Sequence, residues 1–155
     1  MIVPRYRIGN STIPGAGRGL FILEPVASGS VITAPDAIDR TWTWNEIDRD
    51  EKLRAQAHAA ARWFEDRYTL SPDWPDECFV NHSFDPNGLW HLGFVFALRD
   101  LAPETEITVD YRHLLAPGQE EDFTDAATGG KIIGYSWQES LARSTRALAS
   151  LLTYP

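Results

Sequence analysis

Along the first 35 residues the apolar positions come in short runs. Residues 2–8, 19–23 and 31–34 are β-like pieces separated by Gly9-Asn10, Pro14-Gly15 and Ser28-Gly29-Ser30, a pattern that predicts strand and turn. The period then changes. Thr43-Trp44-Asn45-Glu46 has the spacing in which a threonine caps a backbone N–H and a glutamate reaches back, so a helix is predicted to start there. Leu53, Ala57, Ala60, Phe64 and Tyr68 fall on one helical face, and the charged run at 48–52 marks where the region divides into two helices, its acids forming a solvated face. After the polar stretch at 81–88, residues 92–98 and 107–109 are apolar and β-branched and predict two more strands. Residues 116–134 read as loop. Ser136-Trp137-Gln138-Glu139 repeats the capping spacing, and Trp137, Leu141, Leu148 and Leu152 keep helical spacing to the end. Short strands interrupted by separate helices give an α+β architecture, without the regular βα alternation of a doubly wound sheet.

Composition narrows the class. A chain of 155 residues with 43% hydrophobic and 12% aromatic content suits one domain with its own core. No run approaches the roughly 20 apolar residues that span a bilayer, and residues 1–10 lack the pattern of a signal peptide, so a cytoplasmic protein without membrane contact is expected. The net charge of −8 argues against direct nucleic-acid binding, which needs a basic face, and favours a basic partner. Cys78 stands alone, which excludes an internal disulfide and a cysteine-rich zinc cluster.

Three segments carry candidate chemistry. In residues 13–21, IPGAGRGLF, the glycines fall at 15, 17 and 19 ahead of a strand, whereas a dinucleotide fingerprint must open a helix; alone, the run is a tight turn. In residues 78–90, CFVNHSFDPNGLW, Cys78, His82, Asp85 and the nearby His91 are metal-ligand types, but their spacing matches no familiar zinc pattern and no metal is expected. Pro86 and Asn87-Gly88 mark a turn in which Asp85 and Asn87 bond local backbone. In residues 101–114, Glu106 and Asp110 flank a β-rich step before Tyr111; they suit either an acid and base pair or a plain strand with an aromatic at its end.

Taken in order, Gly17-Arg18-Gly19-Leu20-Phe21, Asn81-His82-Ser83-Phe84-Asp85-Pro86-Asn87 and Glu106-Ile107-Thr108-Val109-Asp110-Tyr111 resemble the successive signature motifs of SET-domain protein lysine methyltransferases. Residues 25–32 and 96–101 resemble the family's connecting segments, so the resemblance covers residues 5–112. Two positions depart from the pattern: Glu104 stands where glycine is usual, and Phe84 where cysteine is commoner.

The resemblance implies a single SET-like domain over 1–155. Its expected fold is β-rich, with several small sheets, a knot-like core, a helical insert and a C-terminal helix. Within it, 5–35 would be N-terminal strands, 40–76 the helical insert, 77–112 the C-terminal motifs and 113–155 a lid or helix. The implied cofactor is S-adenosyl-L-methionine (AdoMet). By position, the main chain of Ala16, Gly17 and Arg18 would contact its methionine end, Asn81 would bond it, the His82 backbone would read the adenine edge, and Tyr111 would be the active-site tyrosine. The cysteine-rich tail that closes the lysine channel in many members is absent, which leaves residues 116–152 as the candidate closure, with Phe123 or Trp137 covering the adenine. Trp137 equally suits an anchor for the last helix, and Trp90 either lines the lysine channel or belongs to the core. The last helix offers either a homodimer contact or a lid. The implied function is methyl transfer to a lysine of a basic protein; the alternatives are an inactive SET-like interaction module and a methyltransferase for a small-molecule amine.

Overall fold

The computed structural model describes residues 1–36, 38, 40–71 and 73–152; the last three positions of the expected C-terminal segment lie outside them. Strands β1 (Tyr6–Asn10) and β2 (Arg18–Ile22) flank the glycine-rich turn, and β3 (Val31–Thr33) follows. Helices α1 (Trp44–Arg49) and α2 (Glu51–Arg54) precede β4 (Ala60–Phe64) and β5 (Arg67–Leu70). Then come β6 (Asn81–His82), β7 (Gly88–His91), β8 (Phe94–Ala97), β9 (Thr108–Val109), β10 (Glu120–Thr124), β11 (Lys131–Ile133) and α3 (Trp137–Leu151).

Among the described residues these strands form five small sheets: the hairpins β1-β2, β4-β5 and β10-β11, a three-stranded sheet ordered β3-β8-β7, and the parallel pair β6-β9. The parallel pair sets Asn81 beside Thr108 and His82 beside Val109, which brings the second motif against the third. Leu20, Ile22, Ile32, Val95, Ala97, Ile107 and Val109 are buried together and form an aliphatic core beneath the motifs. A second cluster gathers Ile47 and Tyr68 with Trp42, Trp44 and Leu53 at its edge. No helix among the described residues is long and apolar enough to cross a membrane.

Both capping signals operate. The Thr43 hydroxyl accepts from the Glu46 N–H at 3.2 Å while the Glu46 carboxylate accepts from the Thr43 N–H at 2.7 Å. Asp50 ends α1 and caps α2 by accepting from the N–H groups of Lys52 and Leu53, so the charged run does divide the region in two. Ser136 accepts from the Glu139 N–H, and the Glu139 carboxylate turns to Arg143 instead of completing the box.

The insert is not helical beyond α2. The predicted helical face at 53–68 gives way to a 3-10 turn at Ala57–Ala59 and the β4-β5 hairpin. Its Glu65 turn residue takes φ 46°, and Tyr68 exchanges backbone hydrogen bonds of 2.9 Å with Trp42 in both directions, partners that a helix would deny to both. The run of Trp63, Phe64, Tyr68 and Thr69 also favours strand. Residues 116–134, expected as loop, contain the β10-β11 hairpin, whose strands are exposed except at the buried Ile132 and the half-buried Glu121 and so carry no hydrophobic alternation to read. The strand expected over 92–98 begins only at Phe94, because Leu92 and Gly93 have φ 51° and 84° and turn the chain back onto β7. Glu104 adopts φ 66°, the conformation a glycine would take without strain, and its carboxylate binds Arg7 across the surface at 2.9 Å. The family's turn is thus kept with a different residue.

Candidate active site

One cavity of about 1040 Å³ is walled by both motif segments and insert. That is at the upper end of the size of ligand sites, enough for a nucleoside-sized group and an extended side chain together. The turn after β1 supplies Ile13 to Ala16 and, with the start of β2, Arg18 to the cavity lining; Asn81, His82 and Tyr111 line it too, as do Trp63, Trp74 and Trp90. The turn is free of crowding. A Cβ at Gly15 or Gly17 would meet nothing within 4 Å, and both glycines have positive φ, 82° and 73°. The backbone there is therefore open to a ligand.

Asn81 sits at the end of β6 with its Nδ2 donating to the Arg18 carbonyl at 2.9 Å and to Glu106 at 2.8 Å. Its neighbour His82 is buried, and its Nδ1 accepts from the Tyr111 N–H at 3.1 Å. The ring proton therefore resides on Nε2, which faces Asp125 at 3.6 Å, beyond hydrogen-bonding distance. Burial lowers the His82 pKa against the pull of Asp110 and Asp125, so the ring is neutral at pH 7.

Tyr111 follows β9 and donates its hydroxyl to the Val80 carbonyl at 2.8 Å. Burial, with the Glu121 carboxylate as a smaller cause, raises its pKa well above the usual phenol range. It stays protonated, so it can donate or orient but does not act as a ready phenolate base. Glu121, on β10, lines the same cavity, and burial raises its carboxyl pKa. Its carboxylate has no hydrogen-bonding partner among the described residues.

The other expected residues divide clearly. Ala16, Arg18, Asn81, His82, Trp90 and Tyr111 line the cavity, and Gly17 lies between two lining residues. Trp137 does not. At the start of α3 it borders a separate shallow surface with Glu65, Asp66 and Pro117. Phe123 is the aromatic that β10 does bring to the cavity, edge-on to Tyr111 at 6.3 Å between ring centres and 46% exposed. Trp90 meets Trp63 at 5.5 Å and 54°, and Trp63 lies flat against Gly93, where any Cβ would collide with its ring. Glu106 and Asp110 do not form an acid and base pair at the cavity. Asp110 holds Arg112 and caps the turn after it, while Glu106 is sealed in hydrogen bonds behind Asn81. Of Cys78, His82, Asp85 and His91, the first two line the cavity and His91 bonds Ser144 of α3 at 2.9 Å.

Sequence reasoning missed Trp63, Trp74 and Glu121. The first two lie in the segment misread as helix and the third in the segment misread as loop, so no pattern placed them near the motifs. Phe84 had a signal in its departure from the usual cysteine: its ring packs edge-on to His82 at 4.8 Å, under the Arg112 guanidinium, and close against Gly130 of the β10-β11 turn. It fastens the last hairpin to the second motif, with Asp125 accepting from the Phe84 N–H at 3.1 Å.

A sequence model of the SET domain matches residues 17–112, which runs from the glycine turn through the residue after Tyr111. The chain belongs to the SET domain family. Members are generally AdoMet-dependent lysine methyltransferases. No curated protein matches the chain. Among solved structures, an apo ctPRC2 with two substitutions in Ezh2 is similar, with a TM-score of 0.56, 16% identity and coverage of 99% of this SET protein. That likeness is one of fold, and this chain spans 23% of the matched one.

The residues present fit AdoMet. The open main chain at Gly15 to Arg18, an Asn81 amide whose oxygen has no hydrogen bond among the described residues, and a cavity with aromatic side chains in its wall supply the acceptors, donors and apolar surface that a zwitterionic nucleoside needs.

Proposed function

We propose that this SET protein is an AdoMet-dependent lysine N-methyltransferase acting on a basic protein in the cytoplasm. The observation that carries the reading is the convergence of the glycine turn, Asn81, His82 and Tyr111 on one cavity whose wall also includes Trp63 and Trp90. Arg18 and Ala16, with Gly17 between them, are the main-chain contacts for the methionine end, Asn81 the side-chain contact and His82 the backbone contact for the adenine edge. When bound, AdoMet supplies an electrophilic methyl group on a sulfonium.

The protein's part is to deliver a neutral amine in the right place. A free lysine has a pKa of about 10.4, and the indoles of Trp63 and Trp90 exclude water and disfavour its ammonium form. The Tyr111 hydroxyl, fixed by Val80, limits how the amine can turn, and alignment of two held reactants is a large source of rate. Protons leave toward solvent or the unpaired Glu121 carboxylate, whose raised pKa suits that role. The charge of −8 supports a basic protein substrate through encounter rate. Phe123, and not Trp137, is the aromatic available to cover the bound nucleoside.

Calorimetric titration with AdoMet, followed by transfer of labelled methyl to proteins, tests the reading. Wild type binds saturably, Asn81→Ala loses affinity, and Tyr111→Phe keeps affinity within about twofold while turnover drops roughly 100-fold. Absence of AdoMet binding by the wild type overturns it. Labelling of free lysine but of no protein moves the substrate to a small amine.

A further inference from the structure

Glu106 is 7% exposed and takes no part in the chemistry above, yet its carboxylate accepts hydrogen bonds from four groups. Oε1 receives the Ser11 hydroxyl at 2.6 Å and the Asn81 Nδ2 at 2.8 Å. Oε2 receives the Thr12 N–H at 2.7 Å and the Thr12 hydroxyl at 2.5 Å. Gly19 presses on the same group, since a Cβ there would run into Oε1. The Ser11 oxygen in turn accepts from the Ile13 N–H at 3.0 Å. A single carboxylate thus ties the start of the glycine turn to the Asn81 side chain.

The pattern decides which way the Asn81 amide points. Its two well-placed partners, the Arg18 carbonyl and the Glu106 carboxylate, can only accept, so both must meet the NH₂ end. The Ser11 oxygen lies further off, at 3.3 Å, and is already donating to Glu106. The remaining polar atom, Oδ1, has no hydrogen bond among the described residues and is left to the cavity that Asn81 lines.

We infer that Glu106 is a positioning residue that locks the Asn81 amide so that Oδ1 faces the cavity as a fixed acceptor for a ligand's ammonium or other N–H donor. The inference rests on the methyltransferase reading, in which AdoMet brings one such donor, the ammonium of its methionine portion. A glutamine at 106 presents its own NH₂ to Asn81 in one of its two orientations, which lets the Asn81 amide turn over and offer a donor where an acceptor is needed.

The experiment compares two ligands by calorimetry: AdoMet, and 5′-methylthioadenosine, which keeps the nucleoside but lacks the amino-acid portion. In Glu106→Gln, AdoMet affinity falls about 10- to 100-fold, as expected for losing a hydrogen bond to a charged group, while methylthioadenosine affinity stays within about twofold. The unchanged second ligand also reports an intact fold. In an Asn81→Ala background the Glu106→Gln change adds nothing, because Glu106 acts through Asn81. If Glu106→Gln does not fold, Asn81→Ala alone must show the same selective loss of AdoMet. In unliganded wild type, the Asn81 side-chain amide gives two distinct NMR proton signals protected from solvent exchange; in Glu106→Gln that protection is lost. Equal weakening of both ligands, additive effects in the double variant, or an unprotected Asn81 amide in wild type overturns the inference and leaves the methyltransferase reading standing. Failure of wild type to bind AdoMet overturns both.

Discussion

Around Glu106 two acceptor oxygens meet four donors at 2.5 to 2.8 Å, whereas a fully buried guanidinium at Arg62 donates to the backbone carbonyls of His113 and Tyr135 at 2.9 to 3.3 Å. Beside it the buried Tyr68 hydroxyl has no hydrogen bond of good geometry among the described residues, and burial pushes its pKa up to about 12. The first region joins the three motifs; the second joins the insert to the C-terminal segment. Near Asn81 polar partners are matched atom by atom. Near Arg62 the requirement is shape. One long cation spans the gap between β4 and the turn after Tyr111, and packed rings do the rest. The difference separates a junction of the motifs fixed by hydrogen-bond direction from a junction of insert and C-terminal segment fixed by volume.

The largest expected effect lies in the second region. Arg62→Ala removes the donors of both carbonyls and opens a void, which costs about 3–5 kcal/mol in urea unfolding. Arg62→Met sharpens the contrast: recovery of more than half of that loss means that volume dominates, and no recovery means that the two regions are held alike. In the motif region Gly88→Ala is the matching change. A Cβ there would stand 2.7 Å from Val95 and 3.0 Å from the Thr108 carbonyl, so β7 must shift from β9 at a cost of about 1–3 kcal/mol. A fully stable variant would show that this contact yields more easily than the backbone pairing suggests.

The smallest effect is graded with pH. His113, buried and bonded through Nδ1 to Ser140 of α3 at 2.8 Å, has its pKa lowered by burial to about 4. The unfolded chain, with the ordinary value near 6.5, binds that proton first, so the stability from this group is complete above pH 6.5. It is lost as the pH falls from there toward 4, by at most roughly 1.4 kcal/mol per unit. His91, bonded to Ser144 of the same helix, is shifted in the same direction by burial and adds to the slope. Urea midpoints at pH 7, 6 and 5 check this, and a flat profile identical to that of His113→Gln would refute it. Since α3 buries only Ser140 and Ser144 among its described residues, its docking should loosen before the aliphatic core does.

What the sequence settled by itself was local or carried by motif. Glycine turns, the Thr43 box, the Asp50 break and the aliphatic runs at 19–23, 31–34 and 107–109 rest on neighbours a few residues away, and each forms where its pattern puts it. The motif residues needed only their order along the chain to be found. The tertiary structure decided the rest because the deciding partners are distant. Backbone bonds from Trp42 made a strand of Tyr68 inside a helical periodicity. Exposed β10 and β11 had no alternation to display and depend on Asp125 and Phe84 for their place. Trp137 and Phe123 are equally plausible covers in one dimension, and only the path of the chain after residue 113 put one at the cavity and the other at the foot of a helix. Glu106, 25 residues from Asn81 and 94 from Thr12, gained its hydrogen-bond partners only when folding brought all three together.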